Sequence, residues 1–198
     1  MELWDLYDHD RNPTGETHER GKPVPKGRYH LVVHVVIFNS AGQMLIQQRQ
    51  PFKEGWPNLW DVTVGGSAVA GDTSRTAAER ETLEELGLVI DLTDELPRMT
   101  LPFDSGFDDI YILTLDVDLD ALTLQESEVQ AVKWASEEEI LAIMADGQFL
   151  PYHQSLIRLF FALKDSRGAH VSKLGECTSA PSRHGKGRIT YTGGFSMI

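Results

Sequence analysis

Hydrophobic and polar positions along the chain alternate between two periods. Residues 30–39 (HLVVHVVIFN) form the clearest strand signal: β-branched, apolar and nearly continuous, as expected of a strand buried on both faces. A turn at 39–42 (NSAG) leads to a second strand over 43–50, predicting a hairpin with the first. Residues 61–64 read as one short strand. Strands are also expected at 99–103 and 107–117, joined by Asp104-Ser105-Gly106, and at 128–134. Residues 2–7 and 16–20 make a strand pair around a turn at 9–15, and 88–92 is a brief apolar run. Helical periodicity appears twice near the end. Ser136 caps a helix to about Ala145, and Pro151 is the N1 residue of a helix over 152–164, with Leu156, Leu159, Phe160 and Leu163 on one face.

The chain is organised around residues 66–88, GSAVAGDTSRTAAERETLEELGL. Thr73 is the predicted N-cap and Gly87 the C′ glycine of a helix rich in Ala, Leu and Glu. Helical spacing puts Glu81, Glu84 and Glu85 in one arc and turns Leu83 and Leu86 the other way, toward a core. Three carboxylates on one face repel each other unless a cation joins them. A hard divalent ion such as Mg²⁺ suits an all-oxygen set. The competing reading is a solvated acidic face.

The wider pattern resembles the Nudix box, Gly-x5-Glu-x7-Arg-Glu-(apolar)-x-Glu-Glu-x-Gly-(apolar). Gly66 opens it, Asp72 follows after five residues, and Arg80-Glu81-Thr82-Leu83-Glu84-Glu85-Leu86-Gly87-Leu88 closes it. Asp72 stands where the box has glutamate, and Thr82 where it has an apolar residue. The resemblance implies an α/β fold, a Nudix-type α/β/α sandwich with a mixed β-sheet between helices, over residues 30–165. Residues 1–29 would be an N-terminal hairpin extension and 166–198 a basic, flexible tail. It also implies Mg²⁺, with Mn²⁺ as the alternative, held by Glu81, Glu84, Glu85 and the Gly66 carbonyl. Glu81 would bind metal or act as general base, and Arg80 would orient the carboxylates. The implied reaction is hydrolysis of a diphosphate linkage in a small molecule such as a nucleoside diphosphate derivative.

Composition narrows the field further. A formal charge of −12 argues against a general nucleic-acid binder. The tail carries five Lys/Arg and one acid, +4, which leaves −16 on the body. Cys177 is the sole cysteine, excluding an intramolecular disulfide and a cysteine-based zinc site. No apolar run reaches transmembrane length and MELWDLYDHD does not resemble a signal peptide, so a cytoplasmic protein without membrane contact is expected, with a homodimer allowed.

Within this acidic chain, Arg49 and Lys53 just upstream of the carboxylates suit a diphosphate, and Gly65 adjoins them as a substrate-side position. At least one of Trp56 and Trp60 is expected to pack. Asp8, Asp10, Asn12 and Glu19 imitate a calcium loop, but Pro13 occupies its glycine position, so a plain turn is expected. His30 and His34 share one side of their strand as hydrogen-bonded structural residues, and Asp108 and Asp109 belong to a solvated acidic edge.

Residues 30–61 also resemble isopentenyl-diphosphate isomerases, which share the Nudix fold. Those enzymes use a cysteine immediately before the glycine matched by Gly66; here that position is Gly65. Hydrolysis is therefore favoured over isomerisation. The alternative from another class is a non-catalytic sensor on the same scaffold.

Overall fold

The computed structural model describes residues 1–168, 170 and 190–191. The expected basic tail over 166–198, Cys177 included, lies almost wholly outside the described residues. Strands β1 (Leu3–Tyr7) and β2 (Pro13–Glu19) pair antiparallel. Asp8 accepts the backbone N–H groups of Asp10 and Asn12 at 2.9 and 2.8 Å, which makes the calcium-like stretch a plain turn. Trp4 and Leu6 are buried, and Tyr7 bridges to Tyr29, so the hairpin lies against the body of the protein.

The main sheet has seven strands. Its path runs through β10 (Val129–Ala135), β4 (Met44–Arg49), β3 (His30–Phe38), β9 (Gly106–Thr114) and β8 (Met99–Phe103); β5 (Trp60–Asp61) adds to β4 and β6 (Val64–Ser67) to β3. The β3–β9 pair is parallel and the other pairs antiparallel, so the sheet is mixed. Leu31, Val33, Val35 and Ile37 of β3 pack with Ala77, Ala78 and Leu86 of α1 (Ser74–Leu86). Val36 and Phe38 face the opposite layer, where Ile140 of α2 (Glu137–Ala145) and Ile157 and Phe160 of α3 (Gln154–Leu163) are buried. Alternation along one strand thus feeds two cores, giving the α/β/α sandwich. A short β7 (Leu88–Val89) follows α1 and pairs with β11 (Thr190–Tyr191). Among the described residues, no helix is long and apolar enough to cross a membrane.

Several expectations are corrected. The β3–β4 hairpin pairs only at Phe38–Met44; beyond it the strands part, β6 taking the β3 edge and β5 the β4 edge. The single strand expected at 61–64 is accordingly interrupted at Val62-Thr63. Thr63 spans the fork: its buried hydroxyl accepts the Ile37 N–H at 2.9 Å and donates to the Leu45 carbonyl at 2.5 Å, replacing ladder bonds that the parted strands cannot make. Helix α3 begins at Gln154 with His153 as N-cap, so Pro151 precedes the cap and is not N1. Leu159 is exposed, and Ile157 takes its expected core position beside Phe160. Asp109 is not on a solvated edge: it is buried and bound bidentately by Arg11 from the N-terminal hairpin turn.

Candidate active site

Helix α1 is fixed at both ends as its sequence demands. Thr73 and Thr76 exchange side-chain and backbone hydrogen bonds in a capping box, and Gly87 at φ +63° returns its N–H to the Leu83 carbonyl at 2.9 Å. Ala77, Ala78, Thr82 and Leu86 form the buried side. Thr82 is tolerated there because its hydroxyl donates to the Ala78 carbonyl at 2.7 Å. Leu83, expected to face the core, is 41% exposed, whereas Glu85 is only 6% exposed. The helix is therefore rolled so that one carboxylate points into the protein.

Arg80 is the hub of the cluster. Its guanidinium donates to Asp72 (2.8 and 3.1 Å), Glu81 (3.0 Å), Glu84 (3.0 Å) and the Ser67 carbonyl (3.2 Å). Burial opposes its charge, but the Asp72 hydrogen bond and the fields of Glu81 and Asp72 outweigh that and leave its pKa raised. Asp72, the shortest acid of the box, is thus a firm partner of Arg80, and its short arm reaches. It also accepts the Val69 N–H and the Thr76 hydroxyl, tying the glycine loop to the helix start.

Glu85 accepts from the Gln47 amide of β4 at 2.9 Å. Burial, relieved in part by Gln47 and reinforced by Glu81, Asp61 and Glu128, pushes its carboxyl up to about 8. Burial likewise raises Glu81, with Arg80 opposing and Glu84 adding to the rise. Against these groups lies Gly66 on β6: a Cβ there would fall 2.2 Å from the Glu81 carboxyl carbon, so the backbone and the carboxylate share a space that only glycine leaves open.

Among the described residues, no three His, Cys, Asp or Glu side chains stand in a metal-holding group, and Arg80 lies among the carboxylates that could form one. Their chemistry nevertheless fits a hard divalent ion. They offer only oxygen donors, burial raises the pKa of two of them, and the Gly66 backbone packs directly against the Glu81 carboxylate.

The sequence-predicted substrate residues are placed nearby but are engaged. Arg49 donates to the Gly55 carbonyl at 3.1 and 3.2 Å and lies 3.8 Å from Asp61; Lys53 contacts Glu128. Gly65 pairs with His34 across β3–β6, and a Cβ on it would meet His34 Nδ1 at 2.9 Å. Neither histidine is the hydrogen-bonded residue expected: Nδ1 of both His30 and His34 is buried without a partner, His30 stacking on Trp4 at 4.1 Å and His34 Nε2 lying 3.4 Å from Asp108. Trp60 packs under Lys133, while Trp56 is exposed. Sequence reasoning missed Gln47 and Asp61. The signal for Gln47 was a polar residue in core-facing register with Leu45, and for Asp61 an acid at the edge of a strand.

The NUDIX domain family model matches residues 28–160. The chain belongs to the Nudix family. It is 47% identical over 170 residues to an uncharacterized Nudix hydrolase of Listeria monocytogenes, spanning 86% of this chain and 99% of that protein. It is 31% identical over 157 residues to an isopentenyl-diphosphate Delta-isomerase of Pectobacterium atrosepticum, spanning 75% and 86%. Its fold is similar to the crystal structure of DR0079 from Deinococcus radiodurans, with a TM-score of 0.62, 25% identity, and coverage of 80% of this chain and 98% of that one. Membership in the Nudix family, alongside hydrolase relatives matched over nearly their whole length, makes the chain a hydrolase of pyrophosphate bonds. Nudix hydrolases generally use a divalent metal.

Proposed function

We propose that this Nudix protein is a Mg²⁺-dependent hydrolase that splits the diphosphate linkage of a small molecule. The observation that carries the reading is the Arg80 hub, with Glu81, Glu84 and Asp72 gathered on one guanidinium beside a buried Glu85 whose carboxyl is raised to about 8. Three carboxylates share the single positive charge of Arg80, which leaves net negative charge beside the Gly66 cradle for a divalent cation to offset.

Glu81, Glu84, Glu85 and the Gly66 carbonyl would hold Mg²⁺, with Mn²⁺ able to replace it. A divalent ion held by these residues would supply charge neutralisation at the phosphoryl oxygens and acidify a water. Arg80 positions the carboxylates, and Gln47 holds Glu85 in place while it ionises. Arg49 and Lys53 would meet the diphosphate, exchanging the Gly55 carbonyl and Glu128 for phosphate oxygens. The isomerase alternative needs a cysteine at position 65. His34 Nδ1 lies where the Cβ of that cysteine would approach, so the site is shaped around glycine.

The test is product release from a panel of nucleotide sugars, dinucleotides, nucleoside triphosphates and isopentenyl diphosphate with Mg²⁺, for wild type, Glu84→Gln and Glu85→Gln. Turnover by wild type that both variants lower by orders of magnitude supports the reading. Tight binding without turnover of any member would replace it with the sensor.

A further inference from the structure

We infer that Asp5 is a positioning residue of the active site: from the N-terminal hairpin it holds the loop that carries Asp72, and through Asp72 it sets the Arg80 guanidinium among the carboxylates. What Asp5 does for a bound ion rests on the Mg²⁺-hydrolase reading; what it does for Arg80 does not.

Between β6 and the Thr73 cap the chain crosses residues 68–72 without helix or strand. Such a stretch keeps one shape only as far as its backbone groups find partners. All five of its amides have one. Ala68 donates to the Leu31 carbonyl (2.9 Å), Val69 to the Asp72 carboxylate (3.2 Å), Ala70 to the Leu3 carbonyl (2.7 Å), Gly71 to the Asp5 carboxylate (2.8 Å) and Asp72 to the Val69 carbonyl (2.9 Å). Two of these acceptors, Leu3 and Asp5, belong to β1. Gly71 sits at φ +92°, a left-handed conformation that glycine enters freely, and glycine has the most freedom to lose on being fixed there. The Asp5 carboxylate fixes its amide.

The hairpin is shaped for this contact. The β1–β2 register shifts between Asp5 and Tyr7, an irregularity of the kind that re-aims the side chains of a strand. The hairpin is also anchored without Asp5: Trp4 and Leu6 are buried, Tyr7 bridges to Tyr29, and Arg11 grips Asp109. It precedes residues 28–160, which the family model matches, yet it reaches the box. From Asp5 the path to the carboxylates is short. Gly71 adjoins Asp72, Asp72 accepts from Arg80 at 2.8 and 3.1 Å, and Arg80 donates to Glu81 and Glu84 at 3.0 Å each. Burial raises the Glu81 carboxyl and the field of Glu2 adds to the rise, which sets the start of the hairpin beside the same cluster. Partners that orient metal-binding side chains from behind are worth about 10–100-fold in metal affinity.

The experiment follows the Gly71 amide and Arg80 Nε–H by NMR hydrogen exchange on the full chain in EDTA, then titrates the same samples with Mn²⁺ by calorimetry. Asp5→Ala should speed exchange at both positions by about tenfold or more, since each loses or loosens a hydrogen bond to a carboxylate. Its Kd for Mn²⁺ should rise about tenfold. Asp5→Asn keeps a side-chain oxygen to accept the Gly71 N–H and should restore both readouts. Arg28→Ala breaks the exposed Arg28–Glu16 pair next to the same hairpin and should move neither, which separates positioning from general loosening. Faster exchange at Gly71 with Arg80 Nε–H unchanged overturns the inference, because Asp5 would then hold the loop without reaching the cluster. Equal loss in Arg28→Ala overturns it as well. If wild type takes up no Mn²⁺, the metal reading falls, and exchange at Arg80 Nε–H alone decides the role of Asp5.

Discussion

Gln47 donates its amide to Glu85 at 2.9 Å while its own Oε1 is buried without a partner. The pair joins β4 to α1 and holds a carboxyl that burial has raised to about 8. A cation can bind Glu85 only after the proton leaves, so metal affinity should depend on pH. Calorimetric titration with Mg²⁺ or Mn²⁺ is expected to show an apparent Kd falling about tenfold per unit from pH 6 to about 8, then levelling. Gln47→Leu removes the one hydrogen bond that favours the ionised form and should move the break to higher pH. A Kd that is flat across this range would show that Glu85 does not carry the proton.

Stability should depend on pH through the same group. The carboxyl of Glu85 is raised from 4.5 to about 8 in the folded chain, so its contribution is fully present below about 4.5 and is lost as pH rises through about 8. Burial moves Glu81 in the same direction. A carboxyl pKa that differs by one between the folded and unfolded chain corresponds to about 1.4 kcal/mol. In EDTA, Tm is therefore expected to fall between pH 5 and pH 8 by on the order of 5–10 °C. Mg²⁺ should recover more of it at pH 8 than at pH 5. Asp109 is lowered from 3.8, so its own loss begins below this window and does not confound it. Equal Tm gains from Mg²⁺ at both pH values would contradict the assignment.

The box and its helix limits were legible because they are local. A capping threonine, a C′ glycine and fixed offsets survive whatever packs around them, and α1 runs from Ser74 to Leu86 as its ends required. What escaped depends on partners distant in the chain. Leu83 and Glu85 exchange their expected burial because Gln47, 38 positions earlier, offers Glu85 a buried donor. The break at Val62-Thr63 follows from the parting of β3 and β4, which no local pattern encodes. Asp109 looks like one more acid among many in the sequence, and only the fold brings Arg11, 98 positions away, within reach of it. Arg49 and Lys53 were found by type, but their engagement by Gly55 and Glu128 was not readable.

Gly66→Ala tests the cradle separately from the fold. The new methyl would collide with the Glu81 carboxyl, which is the far end of a flexible side chain and can swing aside. The expected result is a loss of two or more orders of magnitude in kcat/KM and of metal affinity, with Tm changed by roughly 2–4 °C at most. Thermal unfolding and metal titration on one sample distinguish this from general damage. Unchanged metal affinity would mean that Glu81 does not need its place against Gly66.

Arg11 is expected to hold the N-terminal hairpin to the sheet by a buried charge. Its two terminal nitrogens donate to Asp109 at 3.0 and 2.8 Å, and Asp109 is 2% exposed. Burial alone would raise that carboxyl; the Arg11 and Thr100 hydrogen bonds outweigh burial and lower it. The guanidinium also lies 5.1 Å above the Phe107 ring. Truncating the cation leaves an uncompensated carboxylate in the interior, so Arg11→Ala should cost about 3–5 kcal/mol in urea unfolding at neutral pH. Arg11→Lys keeps the charge, loses the fork and should cost less. The double variant Arg11→Ala with Asp109→Asn should be more stable than Arg11→Ala alone, because the stranded charge is gone. If the double variant is the less stable of the two, the penalty comes from lost packing on Phe107, and the buried ion pair is not what secures the hairpin.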